Sequence, residues 1–242
     1  MAEPTCDICK GAGYYLLDRP VGHPEFGQLR PCKCTIERQQ ERRLQALRDA
    51  SQLVGSLLVK SFDNYRPRRA AQQQALQAAR HFAGNPRGWL VFAGSNGSGK
   101  THLAAAIAND RLANARPALF VVVPDLLDHL RSTYHPDSKV SFDARFEEIR
   151  QHPLLILDDL GAHSSTDWAA EKLFQLINHR YNLELATVYT TNQRVRDMPL
   201  RLRARLGDTK IATVVNVDQA DPRQQTTSQH ADTRPSSPRM RF

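Results

Sequence analysis

Eight consecutive residues near the middle of the chain have the types and spacing of a phosphate-binding loop. They are Gly94, Ser95, Asn96, Gly97, Ser98, Gly99, Lys100 and Thr101. The spacing fits the pattern G-x-x-x-x-G-K-[ST], in which backbone N–H groups and a helix N-terminus surround phosphates. In such a loop Lys100 reaches the β- and γ-phosphates, and the Thr101 hydroxyl binds Mg²⁺. The segment therefore predicts a nucleoside triphosphate site rather than a merely flexible glycine turn.

Two adjacent carboxylates, Asp158 and Asp159, follow the apolar run at residues 154–157. Beside a phosphate loop, Asp158 would complete the Mg²⁺ site, and Asp159 would orient or deprotonate an attacking water. Without the loop, simple solvation of a strand end would explain the pair equally well. The two motifs together predict hydrolysis of a phosphoanhydride bond.

Two further candidate groups come later in the chain. Asn192 follows the predicted strand 187–191, where its amide could bridge the water and the γ-phosphate; the alternative is a turn asparagine that bonds its own backbone. Arginines alternate between residues 199 and 206, and on a helix Arg201 and Arg205 would share a face. We predict that Arg205 stabilises transition-state charge in a neighbouring subunit. A solvated basic helix, or one bound to DNA phosphates, is the alternative.

All four cysteines lie within the first 34 residues, as Cys6-x-x-Cys9 and Cys32-x-Cys34. Two close pairs are what a tetrahedral Zn²⁺ site needs, so we predict structural zinc. Reduced thiols, a redox disulfide and an iron–sulfur cluster are the alternatives. His23, between the pairs, is interpreted as a loop residue.

The composition limits the class of protein that can present these groups. Of 242 residues, 40% are hydrophobic and 24% are charged, which excludes a fully disordered polymer and a membrane protein. No run approaches the roughly 20 apolar residues of a membrane helix, and the N-terminus lacks the apolar segment of a secretory signal. We expect a cytoplasmic protein with no membrane partner, where a disulfide framework is unusual.

Four segments differ in composition: a cysteine module at 1–34, a helical connector at 35–60, an α/β ATPase domain at 61–217 and a disordered tail at 218–242. The third alternates short apolar runs with amphipathic stretches, which is typical of βαβ units around a parallel sheet. Strands are predicted at 89–93, 118–123, 154–157, 187–191 and 212–217. Helices are predicted at 101–114, 124–134 and 166–182, the last with Ala170, Phe174, Ile177 and Tyr181 on one stripe.

The net charge of +8 comes from two windows, residues 60–80 and 194–210, each of which carries +4. Such patches favour phosphate-bearing partners. Phe62 and Tyr65 lie among the arginines of the first window, which could form a surface for single-stranded DNA. We favour the alternative that these rings pack at the domain edge or flank an adenine.

These motifs, in this order and spacing, resemble the DnaC/DnaI/IstB-like branch of AAA+ ATPases, which contains bacterial and phage helicase loaders. The resemblance covers residues 61–217 and includes Thr-His-Leu after the loop lysine and Asp-Asp-Leu-Gly after the third strand. It implies Walker A residues Lys100 and Thr101, Walker B residues Asp158 and Asp159, sensor 1 at Asn192 and an arginine finger at Arg205. It also implies a five-stranded parallel sheet of order 5-1-4-3-2 with no helical lid.

The resemblance implies an ATP-dependent helicase loader in DNA replication. ATP and single-stranded DNA would favour an oligomer or spiral that places a hexameric helicase on a strand, and slow hydrolysis, stimulated by DNA or partner, would release it. The cysteine module is similar to zinc modules that grip the helicase in some loaders. The main alternative is an IstB-like transposition helper that acts on a transposase.

Other classes fit the sequence less well. A small-molecule kinase is disfavoured by the aspartate pair and Asn192, and a GTPase by the lack of an N-K-x-D motif. A non-catalytic scaffold that keeps ATP bound stays open.

Overall fold

The computed structural model of the chain describes residues 6–132, 142–161 and 167–219. These residues form two units, which divide between residues 50 and 51. The predicted tail from residue 220 onward lies outside the described residues, as do residues 133–134 and residue 166 of two predicted helices.

The first unit contains a short antiparallel hairpin, strands β1 Tyr14–Leu16 and β2 Leu29–Pro31, followed by helix α1 Lys33–Ala50. Tyr14 lies opposite Pro31, so the chain that enters β1 and the chain that leaves β2 are side by side. The hairpin therefore brings the two cysteine pairs together, since one pair precedes β1 and the other follows β2.

Helix α1 buries none of its residues and ends at Ala50, ten residues before the predicted end of the connector. Gln52 then adopts a left-handed conformation with φ 60°, which an α-helix cannot contain. The Ser51 carbonyl accepts a hydrogen bond from the Phe120 N–H at 2.8 Å, so residue 51 is already tied to the second unit. A short 3₁₀ helix, Gly55–Val59, follows.

The second unit is built on five parallel strands: β3 Trp89–Ala93, β4 Leu119–Val122, β5 Leu155–Asp158, β6 Thr187–Thr191 and β7 Ala212–Asn216. Their order in the sheet is β4-β5-β6-β3-β7. Counted from β3 as the first core strand, this is the order 5-1-4-3-2, so the predicted fold class is confirmed. Strands β3, β5 and β6 are buried throughout, which explains the consecutive apolar residues of β3 and β5.

The helices of this unit are α2 Ala70–Gly84, α3 Lys100–Ala113, α4 Val123–Ser132, α5 Phe142–Gln151, α6 Asp167–Asn182 and α7 Leu200–Leu206. A second 3₁₀ helix spans Val195–Asp197. The predictions at 101–114 and 166–182 agree with α3 and α6 to within a residue at each end. Helix α2 was not predicted, because four of its six buried residues are alanines, which give a weak apolar periodicity.

Of the residues predicted on one stripe of α6, Ile177 is buried, and Phe174 and Tyr181 are half-buried. The helix buries Ala169, Leu173, Leu176, Ile177 and Arg180, whereas Ala170 is exposed. The Arg180 side chain, fully buried, donates to the Thr187 hydroxyl at 2.8 Å and to the backbone carbonyls of residues 150, 152 and 186. Because these acceptors satisfy the guanidinium, a charged residue can lie on the buried face of α6. A pattern of apolar residues alone does not reveal such a residue.

Since all five strands are parallel, their carboxyl ends lie at one edge of the sheet, where ligands bind in open α/β sheets. Ala93, Asp158 and Thr191 end their strands at this edge. Among the helices of the described ranges, none combines the length and apolar character that crossing a bilayer requires.

Candidate nucleotide and metal sites

The predicted phosphate loop connects β3 to α3 and contains two left-handed glycines, Gly97 at φ 75° and Gly99 at φ 100°. At Gly99 a side chain is also excluded by contact, because a Cβ would lie 2.8 Å from the Tyr65 ring. In the described part of the chain, the N–H groups of Asn96, Gly97 and Gly99 have no hydrogen-bond partner within the protein. They are available to phosphate oxygens.

Lys100 is 7% exposed, and its ammonium donates to the carbonyls of Gly94 at 2.9 Å and Ser95 at 2.7 Å. Burial lowers the pKa of Lys100, and the carboxylates of Asp218, Asp159 and Asp158 oppose that shift in this order. The loop carbonyls therefore hold the ammonium in the loop before any phosphate binds.

Asp158 ends β5 with a buried carboxylate that accepts hydrogen bonds from two threonines. The Thr101 hydroxyl lies 3.0 and 3.1 Å from the two carboxylate oxygens, and the Thr190 hydroxyl donates at 2.6 Å. Burial raises the pKa of Asp158, and these hydroxyls oppose the rise. Hydroxyl and carboxylate oxygens are the ligands that Mg²⁺ prefers, so Thr101 and Asp158 are placed to bind one ion together.

Thr190 also holds the second aspartate, and sequence reasoning missed it. Its hydroxyl accepts the Asp159 N–H at 2.9 Å, and Asp159 adopts a left-handed backbone at φ 62°. Aspartate tolerates that conformation better than most residues. Thr190 lies two residues before Asn192 in the sequence, but its contact with both aspartates depends on the position of β6 beside β5.

Asn192 is exposed, and within the described ranges its amide has no protein partner. The preceding Thr191 hydroxyl donates to the Leu160 carbonyl at 2.7 Å, which fixes the chain at this point. Because β6 lies between β3 and β5, Asn192 follows the strand between the phosphate loop and the two aspartates. Its role in hydrolysis stays a prediction.

The Arg205 guanidinium lies 4.2 Å from the Tyr181 ring centre and donates to the Asn178 side chain at 3.2 Å. Tyr181 in turn packs on Trp89, the first residue of β3, with ring centres 5.7 Å apart. At about 3.3 Å per residue, roughly 13 Å of strand separates Trp89 from the end of β3 at the phosphate loop. These contacts link Arg205 to the first residue of β3, at the opposite end of the strand from the phosphate loop.

The other arginines of α7 have different surroundings. Arg201 is exposed, forms an ion pair with Glu171 at 3.3 Å and lies 5.3 Å from the Phe174 ring centre. Arg203 is exposed and donates to the Arg196 carbonyl at 3.4 Å. Arg201 and Arg205 therefore both contact α6, which agrees with the shared face predicted for these two residues.

Two side chains outside the motifs, those of Tyr65 and Gln72, contact the phosphate loop or α3. Tyr65 is 7% exposed, packs against Gly99, and has a hydroxyl without a hydrogen-bond partner. Its ring meets the His102 ring edge-on at 5.1 Å, and the Gln72 amide donates to the Ser98 carbonyl at 3.0 Å. Tyr65 thus packs at the domain edge, which is the alternative that we favoured over a DNA surface.

The four cysteines of the first unit form one cluster, with all Sγ atoms within 4.8 Å of one another. The shortest separations are 3.6 Å between Cys6 and Cys32 and 3.5 Å between Cys9 and Cys34. Tetrahedral zinc with Zn–S bonds of about 2.3 Å places its sulfurs about 3.8 Å apart, so the cluster fits this ion. None of the four thiols is in a disulfide.

Local groups shift the pKa values of these thiols. Backbone N–H groups lower the pKa of Cys6 and of Cys9, and the Arg38 guanidinium lowers that of Cys34. The Cys34 N–H also lowers the pKa of Cys32, but burial and the neighbouring thiols outweigh it and raise that pKa to about 12.

Residues 33–218 match the family described as IstB-like ATP binding protein. Over 152 residues, the chain is 30% identical to the replicative helicase loader DnaC of Escherichia coli (strain K12). These residues make up 61% of this chain and 61% of that protein. The chain thus spans about three fifths of the length of the curated relatives it matches.

Two solved structures share the fold of the second unit. The crystal structure of DnaI has a TM-score of 0.58 and 24% identity, covering 68% of this chain and 94% of that one. The crystal structure of the DnaC helicase loader has a TM-score of 0.54 and 28% identity, covering 67% and 99%.

Proposed function

The chain belongs to the family of IstB-like ATP binding proteins, and from this premise we propose that it is an ATP-dependent loader of a replicative helicase. The observation that carries the proposal is the joint presence of two features. One is the site formed by the phosphate loop, Thr101 and Asp158; the other is the likeness to proteins named replicative helicase loader DnaC.

At this site the chain would hydrolyse ATP to ADP and phosphate. Lys100 and the free N–H groups of the loop would bind the phosphates, while Thr101 and Asp158 would hold Mg²⁺. A bound Mg²⁺ would neutralise charge that develops on the phosphate oxygens. Asp159 and Asn192 would orient the attacking water. The short aspartate side chain at position 159 is consistent with the slow, switch-like hydrolysis expected from the sequence.

The first unit is the proposed helicase contact, with zinc in the thiol cluster. Apolar residues near its hairpin are exposed: Ile8, Tyr14, Leu16, Val21, Phe26 and Leu29. Exposed apolar groups of this number favour a protein partner over a purely structural role.

Single-stranded DNA and further copies of the chain are the other proposed partners. Arg66, Arg68 and Arg69 are exposed immediately before α2 and supply positive charge for DNA phosphates. Arg205 would complete the site of a neighbouring copy in an ATP-bound oligomer or spiral.

The match to the IstB-like family keeps open the second candidate expected from the sequence, an IstB-like transposition helper that acts on a transposase. The two functions differ in the protein bound, so binding decides between them. Tagged wild-type protein with ATP should retain the replicative helicase of its source, and a Lys100→Ala control should retain much less. Retention of a transposase, with no helicase under either condition, would contradict the loader function.

A further inference from the structure

We propose that Asp218 is a positioning residue of the nucleotide site, which fixes the first turn of the phosphate loop through Ser95. This inference rests on ATP binding at the loop and is independent of helicase loading. Asp218 belongs to none of the motifs and lies 123 residues from Ser95 in the sequence.

Both oxygens of the Asp218 carboxylate contact Ser95. One accepts the Ser95 N–H at 2.5 Å, and the other accepts the Ser95 hydroxyl at 3.0 Å. The Ser95 carbonyl in turn accepts the Lys100 ammonium at 2.7 Å. A chain of hydrogen bonds therefore runs from Asp218 through one residue to the lysine that binds phosphate.

The fold delivers Asp218 to the loop from the neighbouring strand. β7 lies beside β3, and beyond the strand ends the Val217 N–H still donates to the Ala93 carbonyl at 2.8 Å. The Asn216 side-chain oxygen then accepts the N–H groups of Asp218 at 2.9 Å and Gln219 at 3.2 Å. This turn directs Asp218 toward the loop rather than along the strand.

Gly94 allows the same contact without displacement of the carboxylate. A Cβ at this position would lie 3.1 Å from one Asp218 carboxylate oxygen and 3.2 Å from the Ser98 hydroxyl. The first glycine of the motif thus has a role that its backbone angles do not reveal, since it makes room for an acidic side chain.

A carboxylate beside a phosphate site repels the phosphates, so the position of Asp218 needs a structural explanation. Asp218 bonds the N–H of Ser95, whereas the N–H groups of Asn96, Gly97 and Gly99 stay available to phosphate. The carboxylate therefore orders the loop without occupying the phosphate-binding N–H groups.

The test is nucleotide affinity in the full-length protein, measured with a fluorescent ADP analogue and by competition with ATP and AMP. Asp218→Ala should raise the Kd for ATP and for ADP about tenfold, which is about 1.4 kcal/mol, with little change for AMP. Lys100 would contact the β-phosphate, which AMP lacks. A loss of affinity for ATP and ADP alone therefore indicates a misplaced loop, whereas an equal loss for AMP indicates general damage to the protein.

Asp218→Asn should give a Kd between those of the wild type and the alanine variant, because an amide oxygen can still accept the Ser95 N–H. Ser95→Ala keeps that N–H and should have a smaller effect, and Gln219→Ala is the matched control with none. The thermal unfolding temperature without nucleotide verifies that each variant folds; if the alanine variant does not, the asparagine variant carries the test.

Unchanged or tighter ADP binding in Asp218→Ala would overturn the inference, as would equal effects of alanine and asparagine, since charge alone would then explain them. Wild-type protein that bound no nucleotide would instead contradict the ATP site itself. Wild-type protein that binds nucleotide normally but binds no helicase would contradict helicase loading alone, and the nucleotide affinities of the Asp218 variants would still decide the inference.

Discussion

The thiol cluster and the nucleotide site are organised in opposite ways. In the described residues of the first unit, only Cys9 and Cys32 are buried, and one hairpin brings the four ligands together. The nucleotide site instead depends on a buried five-stranded sheet that joins Lys100, Asp158, Thr190 and Asp218. We therefore expect the thiol cluster to depend on its proposed zinc ion for stability, whereas the nucleotide site is stabilised by the packing of the sheet.

Removal of the metal should have the largest effect and should be confined to the first unit. Structural zinc contributes on the order of 10–16 kcal/mol in small domains, so a chelator, or Cys32→Ser, should unfold residues 6–50. The second unit should melt as before. Metal analysis of reduced protein should find about one zinc per chain, and hydrogen exchange should locate the unfolding. A zinc-free protein with a protected first unit would contradict the prediction.

Lys100→Ala should produce the converse result. We expect nucleotide binding or hydrolysis to fall at least about 100-fold, because the phosphates lose a charged, buried partner, while the zinc content stays unchanged. An ADP titration and a phosphate-release assay measure the loss. Lys210→Ala, an exposed lysine of the same unit, is the control. Normal ATPase activity in Lys100→Ala would overturn the site.

Thr190→Val tests whether the sheet positions the aspartates. Valine keeps the shape but removes one of the two hydroxyls that bond Asp158 and leaves the Asp159 N–H without a partner, at a cost of about 1–3 kcal/mol for a buried polar group. Turnover at saturating ATP should fall about tenfold or more, and stability should decrease. Thr190→Ser keeps the hydroxyl and should restore most activity, so equal losses in both variants would exclude the hydroxyl as the cause.

Mixing two inactive variants tests whether the nucleotide site extends beyond one chain. Arg205→Ala protein retains an intact phosphate loop, and Lys100→Ala protein retains the arginine, so mixed oligomers should recover part of the ATPase rate. The measurement is phosphate release at several mixing ratios. Absence of recovery at every ratio would argue that Arg205 serves only its contacts with Tyr181 and Asn178.

Asp158→Asn should change the stability least among these variants. It should raise the stability, whereas the other changes lower it. Because burial raises the pKa of Asp158 in the folded state, the folded protein binds its proton more tightly, and stability falls as pH rises through that pKa. At neutral pH the neutral amide should therefore stabilise the nucleotide-free protein by about 1 kcal/mol while hydrolysis is lost. Unfolding curves between pH 4 and 8 should converge at low pH; a less stable variant at pH 7 would contradict this.

The local motifs could be predicted from the sequence. Residues 94–101 and the cysteine pairs are close in the chain, so spacing alone specifies their geometry. The parallel sheet followed from apolar runs that are long because both faces are buried. The sheet order came from the family resemblance and is confirmed.

What only the tertiary structure decided are contacts between residues distant in sequence. Thr190 contacts both aspartates because β6 lies beside β5, and Asp218 contacts Ser95 because β7 lies beside β3. The burial of Arg180 depends on carbonyls from two other segments. Periodicity records which face of an element is apolar, but it does not record which polar groups of other elements meet that face. Motif residues were therefore found from the sequence, and the residues that hold them in place were not.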